Sequence, residues 1–303
     1  MIGIVGTIPD PDFPLIHGAV EGDEKRLRIE GHQIAVNRGT PALLAAALVA
    51  ARMIDAPPIY AFLVGDIGTG KGSRRLYQFL AEHLTQFDLH VLTFHYLQPD
   101  ADWHNRVLFA VQAMQPRPLL IADAGFMYAA KMSGQATQYD LFTPDAGELA
   151  FLADDLAPHP FYTRGFILHQ DNHIPDLIQR AYQHQNSART LVVKGATDYI
   201  VQDGHTVATV DQPAFDAMEA VGGTGDTLTG LLSVLCGAGF EPALAGHLAA
   251  RANRHTGSAD VTPATQVSAL IARIPDALTE TWPSVIKGGA PCPTVQEMKS
   301  RRV

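Results

Sequence analysis

The run Gly222-Gly-Thr-Gly-Asp226 sets consecutive glycines and a carboxylate at the start of an apolar helical stretch, Thr227 to Cys236. Glycines let the backbone turn its amides inward into a concave nest, and a helix N-terminus adds a partial positive charge. Gly223, Thr224 and Gly225 are therefore a candidate anion hole for a phosphoryl group in transit. A carboxylate is a poor neighbour for an anion unless it has its own task. For Asp226 that task is to accept a proton from a substrate hydroxyl as phosphate is transferred. The bland alternative is a glycine-rich turn in which Asp226 only caps the helix.

A second glycine loop competes for the phosphate. Gly65-Asp-Ile-Gly-Thr-Gly70-Lys71 spells Gly-x4-Gly-Lys between an apolar run and an amphipathic one, the context a P-loop requires. Gly72 follows, so the hydroxyl of Ser73 comes one residue late, about 100° round a helix. The alternative is a glycine turn over the substrate or phosphate region. His169-Gln-Asp-Asn-His173 has two histidines but no third ligand at metal-site spacing, and reads as a surface loop.

The elements that must position these residues alternate along the chain. Met1 to Gly6 reads as a short strand, and Gly18 to Ile34 as a β-hairpin around Glu21-Gly-Asp-Glu24. Thr40-Pro41 opens a helix to about Met53, with Thr40 as cap and Pro41 in the first turn. Strands are expected at 59–64, 90–94, 118–122, 139–143 and 190–193. Helices are expected at 73–84, 102–114, 147–153, 175–184, 226–236, 242–255 and 265–278. Asp203-Gly204 marks the turn of a hairpin over 199–211. This alternation predicts an α/β fold, a mostly parallel central sheet with helices on both faces. Residues 1–281 form one domain, followed by a tail at 282–303 rich in Pro, Gly and Lys.

Composition narrows the function. The chain has 303 residues with a net charge of −9, so no basic field draws it to nucleic acid or an anionic membrane. Its longest apolar run, Ala42 to Met53, falls well short of the ~20 residues a membrane span needs. Cys236 and Cys292 show neither disulfide nor zinc spacing. A cytoplasmic enzyme of small molecules is expected, and a homo-oligomer stays open.

The stretch Gly222-Gly-Thr-Gly-Asp-Thr-Leu-Thr-Gly230 resembles the anion-hole signature of the ribokinase-like superfamily, and most resembles its nucleotide-dependent NAD(P)H-hydrate dehydratases. Three further pieces fall in that family's order. Thr143-Pro-Asp-Ala-Gly-Glu148 resembles its Thr-Pro-His-Pro-Gly-Glu segment, Val192-Val-Lys-Gly-Ala196 its strand-to-Lys-Gly element, and Leu120-Ile-Ala-Asp-Ala124 the strand ending in its Asp-Ala-Asp. The resemblance spans about Pro118 to Ala259.

The resemblance implies a ribokinase-like fold, ATP or ADP as phosphoryl donor, Mg²⁺, and Asp226 as base. It places nucleotide near Lys194 and Gly195, and the second substrate near Asn37, Gly39 and Asp123. Asp145 and Glu148 resemble the Asn-x-x-Glu that helps hold magnesium in sugar kinases, although Glu148 in a first helical turn is favoured by the helix dipole in any case. There are departures. Ile121 stands where the first acid of Asp-Ala-Asp belongs, and the early Gly-Gly-Ser element is missing, with Asn37-Arg-Gly-Thr40 in a similar place. Three readings follow: a dehydratase that phosphorylates a hydroxyl and then eliminates, a sugar or vitamin-precursor kinase, and a non-catalytic nucleotide-binding regulator.

Overall fold

A computed structural model describes residues 1–54, 56–159 and 173–286. The loop His169–His173 therefore lies, apart from His173, outside the described residues, as does the tail beyond 286. In chain order the strands are β1 (Ile2–Ile8), β2 (Ile16–Ala19), β3 (Glu21–Gly22), β4 (Arg26–Ile29), β5 (His32–Ala35), β6 (Ile59–Gly65), β7 (Val91–Phe94), β8 (Leu119–Ala122), β9 (Leu141–Phe142), β10 (Thr190–Val193), β11 (Asp198–Gln202) and β12 (His205–Val210). The helices are α1 (Thr40–Met53), α2 (Lys71–His83), α3 (Ala101–Gln112), α4 (Gly125–Met132), α5 (Ala146–Ala153), α6 (Ile174–Gln183), α7 (Thr224–Gly237), α8 (Pro242–His255), α9 (Val267–Ile271) and α10 (Ile274–Ile286).

Nine strands form one sheet in the order β12-β11-β10-β9-β8-β7-β1-β6-β2. The six from β10 to β6 are parallel, and antiparallel strands close both edges. Because strand side chains alternate between faces, the parallel strands feed two cores. Ile2, Ile4, Ala61, Leu63 and Val192 pack with residues of α1, α7, α8 and α10. Val5, Phe62, Val64, Leu191 and Val193 pack with residues of α2 to α6 on the other face. The expected three-layer α/β architecture is what the chain forms.

One close approach matters to the site. A Cβ at Gly230 of α7 would lie 2.4 Å from the Leu43 carbonyl of α1, so glycine lets these two helices meet backbone to backbone. Their N-termini come together at the sheet's C-terminal edge.

Several local expectations need correction. The hairpin expected around Glu21 to Glu24 does form, between β3 and β4, but a second tight turn at Glu30-Gly31, both at positive φ, joins β4 to β5, so the region is a three-stranded sheet apart from the main one. Helix α4 has no counterpart among the expected elements, since Gly125 to Met132 is apolar apart from Lys131 and carries no cap signal. The expected helix 265–278 is two helices, α9 and α10, and α10 runs past the assumed boundary at 281, with Trp282 packed edge-on against Phe240 at 5.2 Å. Thr40 does not cap α1. Gly39 occupies that position, and the Thr40 hydroxyl is directed elsewhere.

Candidate active site

Adjacent parallel strands β7, β8, β9 and β10 end in polar residues that share one edge: His95, Asp123, Asp145 and Lys194. Asp226, in the first turn of α7, faces this edge. Its Oδ2 accepts from the Gly39 amide at 2.6 Å, and its Oδ1 lies 3.0 Å from His95 Nε2. Burial alone would raise the Asp226 carboxyl. The hydrogen bond from His95, with the charge of Lys194 and the Gly39 amide, outweighs it and holds the group below its usual value. At pH 7 Asp226 is an ionised acceptor in a largely dry site.

The glycine run forms the turn that opens α7. Gly223 caps α7 at φ 108, a left-handed conformation that suits glycine, and a Cβ there would meet Val267 at 3.0 Å. Among the described residues the amides of Gly223, Thr224 and Gly225 have no acceptor, which leaves them for an anion. Asn253 of α8 fixes this turn: its Nδ2 donates to the Thr224 carbonyl at 3.0 Å, and its Oδ1 accepts from the Thr227 hydroxyl at 2.7 Å. At Gly225 a Cβ would make only ordinary contacts, the nearest at 3.5 Å to Lys194. The position least able to take a side chain is therefore Gly223, not Gly225.

Asp123 lies at the centre of the polar edge. Its Oδ1 accepts from Lys194 Nζ and from the Ala124 amide, both at 2.8 Å, and its Oδ2 accepts from the Thr229 hydroxyl at 2.6 Å. Lys194 is thus paired with Asp123 while lying beside Gly225, and nearby acids raise its ammonium above the ordinary lysine range despite burial. Gly195 donates its amide to Asp198, and its carbonyl accepts from Arg254. Asn37 is exposed two residues before Gly39, with Arg38 between them packed against the nest.

Asp145 and Glu148 form a reciprocal capping box at the start of α5, with Glu148 N to Asp145 Oδ1 at 2.7 Å and Asp145 N to Glu148 Oε2 at 2.9 Å. The helix-terminus reading thus holds for both residues. Each still has a second oxygen with no hydrogen bond among the described residues. Burial raises the Glu148 carboxyl, and Asp145 and Asp123 add to this against the pull of Lys194. Three acidic groups crowd one ammonium, and a divalent cation there would favour their ionised forms. His95, Asp123 and Asp226 also bring ligand-type atoms within 4.8 Å of one another, but hydrogen bonds already engage each of them.

The competing loop is closed from within. Asp66 Oδ1 accepts from the amides of Gly68 at 3.0 Å and Gly70 at 3.1 Å, and its Oδ2 accepts from Ser73 N and Oγ, both at 2.8 Å. The donors that would cradle a phosphate in a P-loop are occupied by the loop's own carboxylate.

Sequence reasoning missed His95 and Tyr96. A histidine closing the apolar strand Val91-Leu-Thr-Phe94 was the available signal, since sites of parallel sheets gather where strands end. Tyr96 has φ 52, is 45% exposed, and sets its ring 4.2 Å from that of His95.

The chain is 39% identical over 241 residues to an uncharacterized protein of Methanocaldococcus jannaschii, covering 79% of this chain and 99% of that one. Among solved structures it is similar to pyridoxal kinase from Staphylococcus aureus in complex with AMP-PCP and pyridoxal (12% identity, TM-score 0.52, 86% of this chain and 92% of that one). A phosphofructokinase-2 mutant from Escherichia coli matches at 14% identity and TM-score 0.53, over 92% and 99% of the two chains. A ribokinase-like superfamily protein from Enterococcus faecalis matches at 16% identity and TM-score 0.53, over 92% and 86%. These likenesses show the fold. The carbohydrate-kinase family model described as NAD(P)H-hydrate dehydratase matches residues 98–280, the segment that carries Asp123, Lys194 and the nest, and the chain belongs to that family within the ribokinase-like superfamily.

Proposed function

We propose that the protein transfers a phosphoryl group from ATP or ADP to a hydroxyl of NAD(P)H-hydrate and then eliminates phosphate to restore NAD(P)H. The observation that carries this reading is the ionised, buried Asp226 set one residue beyond a nest of unpartnered amides. In this reading the amides of Gly223 to Gly225 hold the transferring phosphoryl group, where donors fixed in advance favour the charge of the transition state. Asp226 takes the hydroxyl proton, the hydroxyl oxygen bonds to phosphorus, and the nucleotide leaves with one phosphate fewer. The C–O bond of the ester then breaks, its electrons leave with phosphate, and the departing phosphate takes a proton from the neighbouring carbon as the double bond forms.

Lys194, beside Gly225 and paired with Asp123, supplies fixed positive charge next to the phosphate. Asp145 and Glu148 would hold magnesium, directly or through water, and the ion would draw negative charge from the phosphate oxygens. Asn37 and Gly39 would face the second substrate. A cytoplasmic setting fits this substrate, and among the described residues no helix is long and apolar enough to cross a membrane.

A second reading, a small-molecule kinase that stops at the phosphate ester, is favoured by one observation. Asp145 stands where the dehydratases carry His, and it forms with Glu148 an acid pair of the sugar-kinase type. Turnover decides between the two. Purified protein is offered NAD(P)H-hydrate, sugars and vitamin precursors with Mg-ATP or Mg-ADP, while melting temperature reports binding by mass action. Return of reduced nicotinamide with release of phosphate supports the dehydratase. A nucleotide-dependent thermal shift with a stable phosphate ester of another substrate replaces it with the kinase, and a shift without any turnover leaves a regulator.

A further inference from the structure

His95 follows β7, and its side chain has no solvent exposure. Both ring nitrogens are engaged, Nε2 with Asp226 Oδ1 at 3.0 Å and Nδ1 with Thr40 Oγ1 at 2.9 Å. An ionised carboxylate only accepts, so Nε2 carries a proton. In a neutral ring Nδ1 is then bare and the Thr40 hydroxyl donates to it, so a single ordered chain runs from Thr40 through His95 to Asp226. The other oxygen of Asp226 takes the Gly39 amide at 2.6 Å. Two consecutive residues at the start of α1 thus hold both oxygens of one carboxylate, one directly and one through the imidazole. This matters because the terminal torsion of an aspartate is broad and does not fix itself.

We propose that His95 is a positioning residue that clamps Asp226 through Oδ1 and, through Thr40, locks the carboxylate to the Asn37–Thr40 turn. The inference rests on the reading of Asp226 as base. The imidazole keeps its proton throughout the cycle; it orients the base and does not receive the substrate's proton. The other groups around the ring fit this role. Asp123 Oδ2 lies 3.9 Å from Nε2 but is engaged by the Thr229 hydroxyl, with Lys194 on its other oxygen. The Tyr96 ring closes the remaining side. Thr40 is 1% exposed, so its hydroxyl has no solvent to turn to in place of His95.

The test uses variants that separate the two ring nitrogens. His95→Gln sets an amide nitrogen near the Nε2 position and keeps a donor for Asp226. His95→Asn sets one near Nδ1 and loses that donor, and Thr40→Val removes the far anchor with almost no change of shape. With NAD(P)H-hydrate and Mg-ATP or Mg-ADP, kcat should fall about 10- to 100-fold in His95→Asn, the scale of a misplaced catalytic group. It should fall less than about tenfold in His95→Gln and Thr40→Val, with nucleotide KM held within about twofold in all three. The bond from His95 lowers the Asp226 pKa, so its loss should move the acid limb of the pH–kcat/KM profile upward in His95→Asn and much less in His95→Gln.

Nitrogen-15 histidine spectra of the wild-type protein and of Asp226→Asn test the same contact without substrate. His95 should hold its proton on Nε2 in the wild type and on Nδ1 in Asp226→Asn. The proposal is overturned by a wild-type proton on Nδ1, by His95→Gln as slow as His95→Asn with neither acid limb displaced, or by a stoichiometric metal ion bound through His95. If the spectra agree and no variant or wild type turns over any hydrate, the dehydratase reading has failed while the clamp stands.

Discussion

Asp66→Ala tests the account of the two glycine loops at the level of single hydrogen bonds. The Asp66 carboxylate accepts four of them within one turn of chain. The four are not equal in what their loss costs. Gly68 and Gly70 lie toward the surface and can donate to water instead, whereas Ser73, whose amide and hydroxyl both donate to Asp66, is 1% exposed. The orphaned Ser73 amide costs about 1–3 kcal/mol, and the lost bond from the buried Ser73 hydroxyl adds about 1 kcal/mol, so the variant should lose roughly 2–4 kcal/mol. With an unfolding entropy of about 2.1 cal/mol/K per residue, a chain of this length loses about 0.6 kcal/mol per degree, and the melting temperature should drop about 3–6 °C.

The pH dependence of that difference has a definite sign. Burial would raise the Asp66 carboxyl, but the donors of Ser73, Gly70 and Gly68 hold it below its usual value. A depressed carboxyl stabilises the fold above its unfolded pKa, about 3.9, and loses that contribution as pH falls through the folded value. The gap between wild type and variant should therefore be full at pH 7 and shrink below about pH 4. Removing the carboxylate also empties a nest of three amides and a hydroxyl at the start of α2. Inorganic phosphate should raise the melting temperature of Asp66→Ala and leave the wild type unmoved; at ten times its Kd the gain is about 1.4 kcal/mol, or about 2 °C. Calorimetry across pH and phosphate concentration reads all of this. An Asp66→Ala protein as stable as wild type at pH 7, or one that loses Mg-ATP binding while folded, would refute the account of a self-filled loop.

Three further outcomes are expected. Asp226→Asn should lower kcat by about 10²–10⁴, the usual contribution of a positioned base, yet stay folded, because His95 can move its proton to Nδ1 and accept from the new amide; near-normal turnover of the purified variant would defeat the base. Gly223→Val should abolish the thermal shift with Mg-ATP, since it forces a side chain into a φ of 108 against Val267. Gly225→Ala should keep most of that shift, and isothermal titration showing the reverse order would remove the nest from the phosphate site. Lys71→Ala should leave ATP affinity within a few-fold, because the loop before it is already filled by Asp66; loss of binding there would restore the P-loop.

The architecture was legible because its signals are local and repeated. Short apolar runs bounded by Gly, Pro and Asp placed β6, β7, β8 and β10 to within a residue or two, and Pro41 and Pro242 marked the first turns of α1 and α8. The nest was legible for the same reason, since a helix N-terminus and its glycines adjoin in sequence. Helix α4 was not, because an apolar eight-residue helix with an uncapped start has neither periodicity nor punctuation to distinguish it from a buried strand. The meaning of Asp66 was also hidden. Gly-x4-Gly-Lys specifies where amides gather, but the side chain at the second position decides whether they stay available.

Thr40 shows why the site was harder to read than the fold. Threonine before proline at a helix start is a strong cap pattern, and by local criteria the hydroxyl belongs to the α1 amides. The chain spends it on His95, 55 residues away, and His95 spends its other nitrogen on Asp226, 131 residues further on. Neither partner is visible in any window of sequence, because the contact exists only once β7 lies beside β1 and α7 crosses α1 at Gly230. The same packing that hides the relation makes it strict. Gly6 of β1 lies directly beneath the Thr40 side chain, and a Cβ there would lie 2.4 Å from Oγ1 and 2.5 Å from Cγ2. A substitution at Gly6, remote from phosphate and hydrate alike, should therefore displace Thr40, loosen the imidazole and cost turnover before it costs nucleotide affinity.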